Sequence, residues 1–332
     1  MITANAFRGK RYAVYGLART GKAVIAALVA SGADVVAWDD KPAAREGCAV
    51  PLADLHDANL VGLDALVVSP GVPLRTHPLT QRAAGAGVKI IGDIELFAQA
   101  RTELPSHRVV GITGTNGKST TTALIHHLLQ SAGIAARLGG NIGLPIMAQE
   151  PLLAGGVYVL ELSSYQLDLT FSLDCDVAVL LNITPDHLDR HGDMAGYAAA
   201  KARLFAMQSD AHTAVIAAED DYTRAVAASV SAKLVTVAAA DIGAEQADWP
   251  SLQGPHNAQN AAAAIAAVRA LGLTDAQIAA GLASYPGLEH RMERVREMNG
   301  VLFVNDSKAT NPTSTAPALA AYPRIHWIAG GL

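Results

Sequence analysis

One decapeptide, Gly111-Ile112-Thr113-Gly114-Thr115-Asn116-Gly117-Lys118-Ser119-Thr120, limits what this chain can fold into more than any other stretch. It follows an apolar run, Val109 to Ile112, and opens a helical pattern that continues to about Ser131. A glycine-rich turn between a buried strand and a helix starts a parallel α/β unit, and a parallel sheet must be covered on both faces. In such a turn the backbone N–H groups and the helix N-terminus face an anion. A lysine there neutralises β/γ-phosphate oxygens, and a Ser or Thr hydroxyl such as that of Ser119 ligates Mg²⁺. A strict G-x-x-x-x-G-K-[ST] pattern would need a glycine where Ile112 stands, and the nearest is Gly111. ATP or GTP binding is favoured on placement, against the bland reading of a tight turn with a surface lysine.

The rest of the chain repeats the same alternation. Its 332 residues suit two domains of about 150 residues each, or three compact units. Tyr12 to Leu17, a helical stretch to Ser31, and Asp34 to Trp38 read as a βαβ unit. Ala65 to Ser69 and Val88 to Ile91 add strands around a helix from Pro78 to Ala86, which closes a first domain over residues 1–92. Asp93 to Glu103 reads as a helix leading out, with Pro105, Ser106 and His107 as a linker. The central unit, residues 93–298, gains strands at Val157 to Leu162, Val177 to Ile183, Thr213 to Ala217 and Lys233 to Val237. An Ala-rich helix from Asn257 to Leu271 then ends at Gly272. The expected fold is α/β: a Rossmann-like domain, then a doubly wound P-loop domain. Arg291 to Met298, Asn299-Gly300 and Val301 to Asn305 predict a hairpin with a type I′ turn. One helix and one strand are expected from Thr310 to Leu332, and residues 299–332 read as the start of an incomplete third domain.

Composition excludes several classes. Hydrophobic residues make up 51% and charged ones 17%, so disorder from low hydrophobicity is excluded. Lys and Arg number 25 against 30 Asp and Glu, a net charge of −5, which argues against a general nucleic-acid or anionic-membrane surface. No apolar run approaches the ~18 residues of a spanning helix, and Met1 to Arg11 show no secretory signal, so the cytoplasm is expected. Cys48 and Cys175 lack ligand spacing and read as small buried residues.

Other motifs fall where open α/β sheets bind ligands. Gly16-Leu17-Ala18-Arg19-Thr20-Gly21 is close to the dinucleotide fingerprint, with Asp39 near the ribose position, but Ala18 replaces the middle glycine and disfavours NAD or FAD. Arg19 and Thr20 at the helix start are phosphate contacts or simply part of a Rossmann-type turn. Ser69-Pro70-Gly71 closes another strand at the same edge. Glu161, in an apolar strand end, needs a partner, either a nucleotide-bound Mg²⁺ or a buried Lys or Arg. Thr184 to His191 concentrates titratable groups after the next strand, with His187 a metal or phosphate contact or part of a solvated loop. Lys201, beside Arg203 in a helical stretch, reads as a surface position from spacing.

Taken in order, Gly114 to Thr120, Gly139-Gly140-Asn141-Ile142-Gly143, Glu161-Leu162-Ser163-Ser164, Asp186-His187-Leu188-Asp189 and His256-Asn257-Ala258-Gln259-Asn260 resemble the motifs of the Mur ligases. These are ATP-dependent amide-forming enzymes of peptidoglycan precursor synthesis, and folylpolyglutamate synthetase shares part of the pattern. Asn305 to Pro312, with the first βα turn, resembles the branch that joins D-glutamate to UDP-N-acetylmuramoyl-L-alanine.

The resemblance implies roles residue by residue. Arg19, Thr20, Asp39 and Gly71 would meet the uridine nucleotide, and Asn141 and Ser163 the muramoyl-alanine end. Gly114, Thr115, Asn116, Gly117, Lys118, Ser119 and Thr120 would hold the ATP phosphates. Asn257 and Asn260 would lie near adenine, Arg291 and Asp306 near the phosphates and ribose, Lys308 and Thr310 near the reacting carboxylate and amino acid. Ser119 and Glu161 would ligate one Mg²⁺, His187 and Lys201 a second, with Lys201 as an N-carbamate. A monomer is expected, and the resemblance implies a third domain of on the order of 100 residues. A non-catalytic fragment that binds UDP-sugar and ATP, or another Mur-type or folylpolyglutamate-type ligase, is the alternative.

Overall fold

The computed structural model describes residues 1–309 and 312–330. β1 (Arg11–Tyr15), α1 (Arg19–Ala30), β2 (Asp34–Trp38), α2 (Pro42–Arg45), β3 (Ala65–Val68), α3 (Pro78–Gly85) and β4 (Ile90–Ile91) build a parallel sheet ordered β2-β1-β3-β4. Its central strands carry side chains buried on both faces, as a covered parallel sheet requires: Tyr12 and Val14 on one, Ala13 and Tyr15 on the other. A glycine forms the first turn because nothing else fits. Gly16 sits at φ 94°, and a Cβ on Gly21 would lie 1.9 Å from the Gly16 carbonyl oxygen.

The way out is α4 (Asp93–Ala100), whose Ile94, Leu96, Phe97 and Ala100 are fully buried in a core shared with the second sheet. Glu95, 2% exposed, accepts from the Phe171 and Ser172 amides at 2.7 and 3.0 Å and from the Ser172 hydroxyl at 2.9 Å. The Gly92 amide donates to the Leu169 carbonyl at 3.0 Å. The expected linker at Pro105, Ser106 and His107 is therefore shorter, because His107 already pairs as the first residue of the next strand.

The second sheet is formed by β5 (His107–Thr113), β6 (Ala136–Gly140), β7 (Gly156–Glu161), β8 (Val177–Leu180), β9 (Thr213–Ala217) and β10 (Lys233–Val237). All pairings are parallel, in the order β10-β9-β8-β5-β7-β6. β5 lies in the middle with Val109, Val110 and Ile112 at 0% exposure, each burial worth about 1.5–3 kcal/mol. One face is covered by α5 (Lys118–Ser131), α10 (Pro255–Ala270) and α11 (Asp275–Ser284). The other packs α8 (Met194–Ala206) and α9 (Asp221–Ala227), with the short α6 (Ser164–Asp168) and α7 (Leu188–His191) at its edge. Local chemistry sets the helix starts: Ser163 with Gln166 and Thr274 with Gln277 form capping boxes, and Pro255 opens α10.

β11 (Glu293–Met298) and β12 (Val301–Asn305) form the expected hairpin, with Asn299 and Gly300 at φ 53° and 75°, as a type I′ turn demands. The expected boundary between 298 and 299 falls at this turn, between two strands that pair with each other. α12 (Pro312–Leu319) follows, but residues 320–330 form no strand and pair with none of the described strands. Thr310, Asn311, Gly331 and Leu332 lie outside the described residues. Among the described residues no helix is long and apolar enough to cross a membrane.

In an open helix Gly→Ala stabilises by about 0.5–1 kcal/mol. Gly21→Ala has the opposite sign here, because the new methyl meets a backbone carbonyl that cannot swing aside. Urea unfolding is expected to show a loss of roughly 1–3 kcal/mol.

Candidate active site

The glycine-rich turn joins the middle strand to α5 at the carboxyl edge of the second sheet. Gly117 precedes α5 at φ 84°, and a Cβ on it would sit 2.1 Å from Asn260 Oδ1, so α10 closes tightly over the loop. Asn182, at the end of the neighbouring strand, holds the loop's shape. Its Oδ1 accepts from the Asn116 amide at 2.8 Å, and its Nδ2 donates to the Asn116 carbonyl at 3.2 Å and to Gln259 at 3.0 Å. Thr115 bonds the Thr184 backbone and the Tyr197 hydroxyl.

Two lysines from opposite faces of the sheet converge on one carbonyl. Lys118 Nζ donates to the Gly114 and Thr115 carbonyls at 3.0 and 2.8 Å, and Lys201 Nζ donates to the same Gly114 carbonyl at 2.7 Å. Lys201 is 1% exposed and sits over the Tyr197 ring at 4.4 Å. The surface position expected from spacing is overturned: α8 is buried toward the sheet at Tyr197, Lys201, Leu204 and Phe205, so Lys201 is on its inner face. Burial, and then repulsion from Lys118, push the Lys201 ammonium well below its usual range, against an opposing pull from Asp186. Lys118 is lowered as well, first by burial and then by Arg291, while Glu161 and Asp186 oppose the shift.

Glu161 ends β7 at 1% exposure. Oε1 accepts from Asn141 Nδ2 at 2.7 Å, but Oε2 is buried without a hydrogen-bond partner. An unpaired carboxylate oxygen beside a phosphate loop is what a hard cation would satisfy, so the residues fit Mg²⁺. Gly140, at φ 87°, lets the 139–143 turn approach: a Cβ there would lie 2.1 Å from the Glu161 carbonyl oxygen. Ser163 is occupied as the cap of α6. His187 adopts φ 51°, with Nδ1 3.1 Å from the Tyr165 hydroxyl and its side chain 47% exposed.

A pocket beside the loop is lined by Asn116, Gly117, Thr120, Asn257, Asn260, Arg291 and Asp306. Arg291 Nη2 donates to Ser119 Oγ at 3.3 Å, and Asp306 accepts from the Met292 amide at 3.0 Å. Burial raises the Asp306 carboxyl, partly offset by that amide and Arg291. Asn260 bonds Asn257 and Thr121. His256 also lines this pocket, with Nδ1 unpartnered, and burial pushes it down to about 4. Lys308 is exposed and is not brought into the pocket, and Thr310 lies outside the described residues.

The remaining expected residues gather at the carboxyl edge of the first sheet. Asp39 accepts from the Leu17 amide at 2.7 Å and the Lys41 amide at 2.9 Å. Thr20 lies in the first turn of α1, and Gly71 in the exposed turn after β3. Arg19 reaches across to the Gly143 carbonyl at 2.7 Å, next to Asn141. Arg190 donates to the Val72 carbonyl and stacks on Tyr165, so the two edges are joined twice. Asn182, Tyr197 and Arg190 were not singled out by sequence reasoning. Asn182 had a signal, a lone polar residue in an apolar strand end like Glu161, whereas Tyr197 had none.

Comparison with known proteins follows the same division. Residues 10–92 match the family model described as "Mur ligase MurD-like, N-terminal domain", and residues 112–251 match "Mur ligase middle domain". The UDP-N-acetylmuramoylalanine–D-glutamate ligase of Novosphingobium aromaticivorans is 61% identical, the alignment covering 100% of this chain and 76% of that one. The ligase of the same name from Sphingopyxis alaskensis is 59% identical, covering 100% and 78%. Among solved structures, MurF from Acinetobacter baumannii superposes with a TM-score of 0.59 at 20% identity, over 96% of this chain and 70% of that one, a likeness of fold.

His256 is neutral in the folded protein down to about pH 4, whereas in the unfolded chain it takes up a proton below about pH 6.5. Its contribution is complete above pH 6.5 and is lost as the pH falls toward 4. The stability difference between the parent and His256→Gln is expected to shrink over that window by on the order of 2 kcal/mol, as read by urea unfolding at stepped pH.

Proposed function

The chain belongs to the Mur ligase family, and from that premise we propose that it binds ATP and UDP-N-acetylmuramoyl-L-alanine and joins D-glutamate to the latter in peptidoglycan precursor synthesis. The reaction class is an ATP-dependent acid–amino-acid ligation that forms an amide and releases ADP and phosphate. The single observation that carries the reading is the meeting of Lys118, Lys201 and the half-satisfied Glu161 around a strand-to-helix phosphate loop. The relatives' names supply the substrates.

A carboxylate is a poor acylating agent. Its oxygen attacks the γ-phosphorus of ATP, giving an acyl phosphate and ADP, and the amine of D-glutamate then attacks the acyl carbon and expels phosphate. Lys118 leaves its loop carbonyls for the β/γ-phosphate oxygens and spreads the charge that develops there. The loop amides and Thr120 hold the phosphates, Ser119 joins them once Arg291 turns to the nucleotide, and Asn257 and Asn260 face the adenine. Arg291 and Asp306 serve the phosphates and ribose, and Lys308 and Thr310 the reacting carboxylate and the amino acid. Arg19, Thr20, Asp39 and Gly71 hold the uridine nucleotide, and Asn141 and Ser163 the muramoyl-alanine end. Bound Mg²⁺ would supply charge neutralisation at the transferring phosphoryl group, with Ser119 and Glu161 holding one ion and His187 and Lys201 a second.

Lys201 is suited to carry its negative charge as a carbamate. Its lowered proton affinity favours the neutral, nucleophilic amine over the ammonium. The ammonium first gives one proton to solvent; the amine nitrogen then adds to the carbon of CO₂ and loses a second proton, so that an anion that attracts Lys118 replaces a cation that repels it. The division of labour places a UDP-binding unit in residues 1–92, an ATP-binding unit from 93 to the turn before β11, and the start of an amino-acid-binding unit from the hairpin onward. The reading places the reaction in the cytoplasm, where ATP and UDP-linked precursors are found, and in a single chain, since every assigned residue is its own.

Calorimetric titration is expected to give saturable one-to-one binding of UDP-N-acetylmuramoyl-L-alanine and none of NAD. Lys118→Ala is expected to weaken ATP binding by roughly tenfold or more while leaving the UDP compound's affinity within twofold of the parent, roughly the scatter of a distant substitution. Undiminished ATP binding in that variant would overturn the phosphate-loop assignment. With ¹³C-bicarbonate, NMR is expected to show a carbamate carbon in the parent that is absent from Lys201→Arg.

A further inference from the structure

Four polar side chains that the proposed reaction does not use converge at the carboxyl edge of the first sheet. Tyr15 ends β1, Asp40 follows β2, His56 lies in the connection to β3, and His77 caps α3. The Tyr15 hydroxyl is 2.6 Å from Asp40 Oδ2 and 3.0 Å from His77 Nε2, and His56 Nε2 is 2.9 Å from Asp40 Oδ1. The two imidazole rings lie 5.5 Å apart at 36°. Among the described residues, Asp40, His56 and His77 are the group whose metal-ligating atoms all fall within 4.8 Å of one another.

We propose that Asp40, His56 and His77 form a binding site for a divalent transition-metal ion of the Zn²⁺ class, with the fourth position open to water or an anionic group. Two imidazoles and one carboxylate are the donor set of an open tetrahedral zinc site, and imidazole selects against Mg²⁺ and Ca²⁺. Bonds of about 2.0–2.1 Å in tetrahedral geometry place donors roughly 3.3 Å apart, so side-chain shifts of on the order of 1 Å close the set. Asp40 is exposed and both histidines are partly buried, which leaves an entry path and a defined floor. The Tyr15 hydroxyl is the supporting shell, because it donates to the Asp40 oxygen that faces away from His56 and fixes the carboxylate plane.

The protons balance. In the metal-free protein His77 Nδ1 accepts from the Leu79 amide at 3.3 Å, so the ring proton is on Nε2 and points at Tyr15. His56 donates its own Nε2 proton to Asp40. On binding, both Nε2 lone pairs go to the ion, and each ring proton relocates to Nδ1 through solvent with none released. His77 then gives up its long cap bond to Leu79, a modest loss beside a metal–nitrogen bond.

The test is a titration of the tag-free 332-residue chain with Co²⁺, read by visible absorption and followed by displacement with Zn²⁺. No nucleotide is present, so the outcome is independent of the proposed reaction. One Co²⁺ per chain with tetrahedral-type bands is expected, with His56→Gln and His77→Gln each weakening binding by roughly tenfold or more. His212→Gln, at a histidine 2.8 Å from Asp174 but outside this group, is expected to leave binding unchanged. Loss of Leu79 amide exchange protection on binding is expected as well. Absence of saturable Co²⁺ binding, or equal binding in the parent and in both folded variants at His56 and His77, would sink the proposal.

Discussion

The carbonyl of Gly114 takes hydrogen bonds from two lysine side chains, and much of the central unit is arranged so that it can. Lys118 arrives from α5 on one face of the sheet and Lys201 from α8 on the other, so both helices must pack closely against the carboxyl end of the middle strand. Burial lowers both amines, and repulsion from Lys118 lowers Lys201 further. Such a cluster is poised to accept negative charge. The half-satisfied carboxylate of Glu161 belongs to the same balance, since it is an anion left with an unpaired oxygen amid groups that a phosphate and its counter-ion would redistribute.

What holds this cluster in register is side chains that reach the backbone. Asn182 clips the loop by both faces of its amide, and Asn260 occupies the space a side chain at Gly117 would need. Arg19 and Arg190 then tie the carboxyl edge of the first sheet to that of the second. On the proposed reading, positions that would hold the two ends of one long substrate are joined by contacts that run through the chain, which suits chemistry in which positioning supplies most of the rate.

Much of this was legible in the sequence because the signals are local. A glycine-rich turn after an apolar strand, strands uniformly apolar enough to be buried on both faces, and Asn299-Gly300 between two extended runs each need only a few neighbours to be read. Lys201 was misplaced because helical spacing reports which residues share a face and says nothing about which face is covered, and α8 is Ala-rich on every side. Tyr197 and Arg190 were missed for a related reason: their partners are Thr115 and Val72, far away in sequence. The strand expected near the end pairs with none of the described strands, and an apolar run reports nothing about whether a partner edge is available.

The Glu95 seam gives the molecule a property of its own. A carboxylate buried against the Phe171 and Ser172 amides, under a helix whose apolar residues belong to a core common to both sheets, is not a hinge. The seam joins the first and second sheets through one core. On the proposed reading the span from the uridine-holding edge to the phosphate loop becomes a ruler, against which the length of a precursor is measured as well as the group at its reacting end.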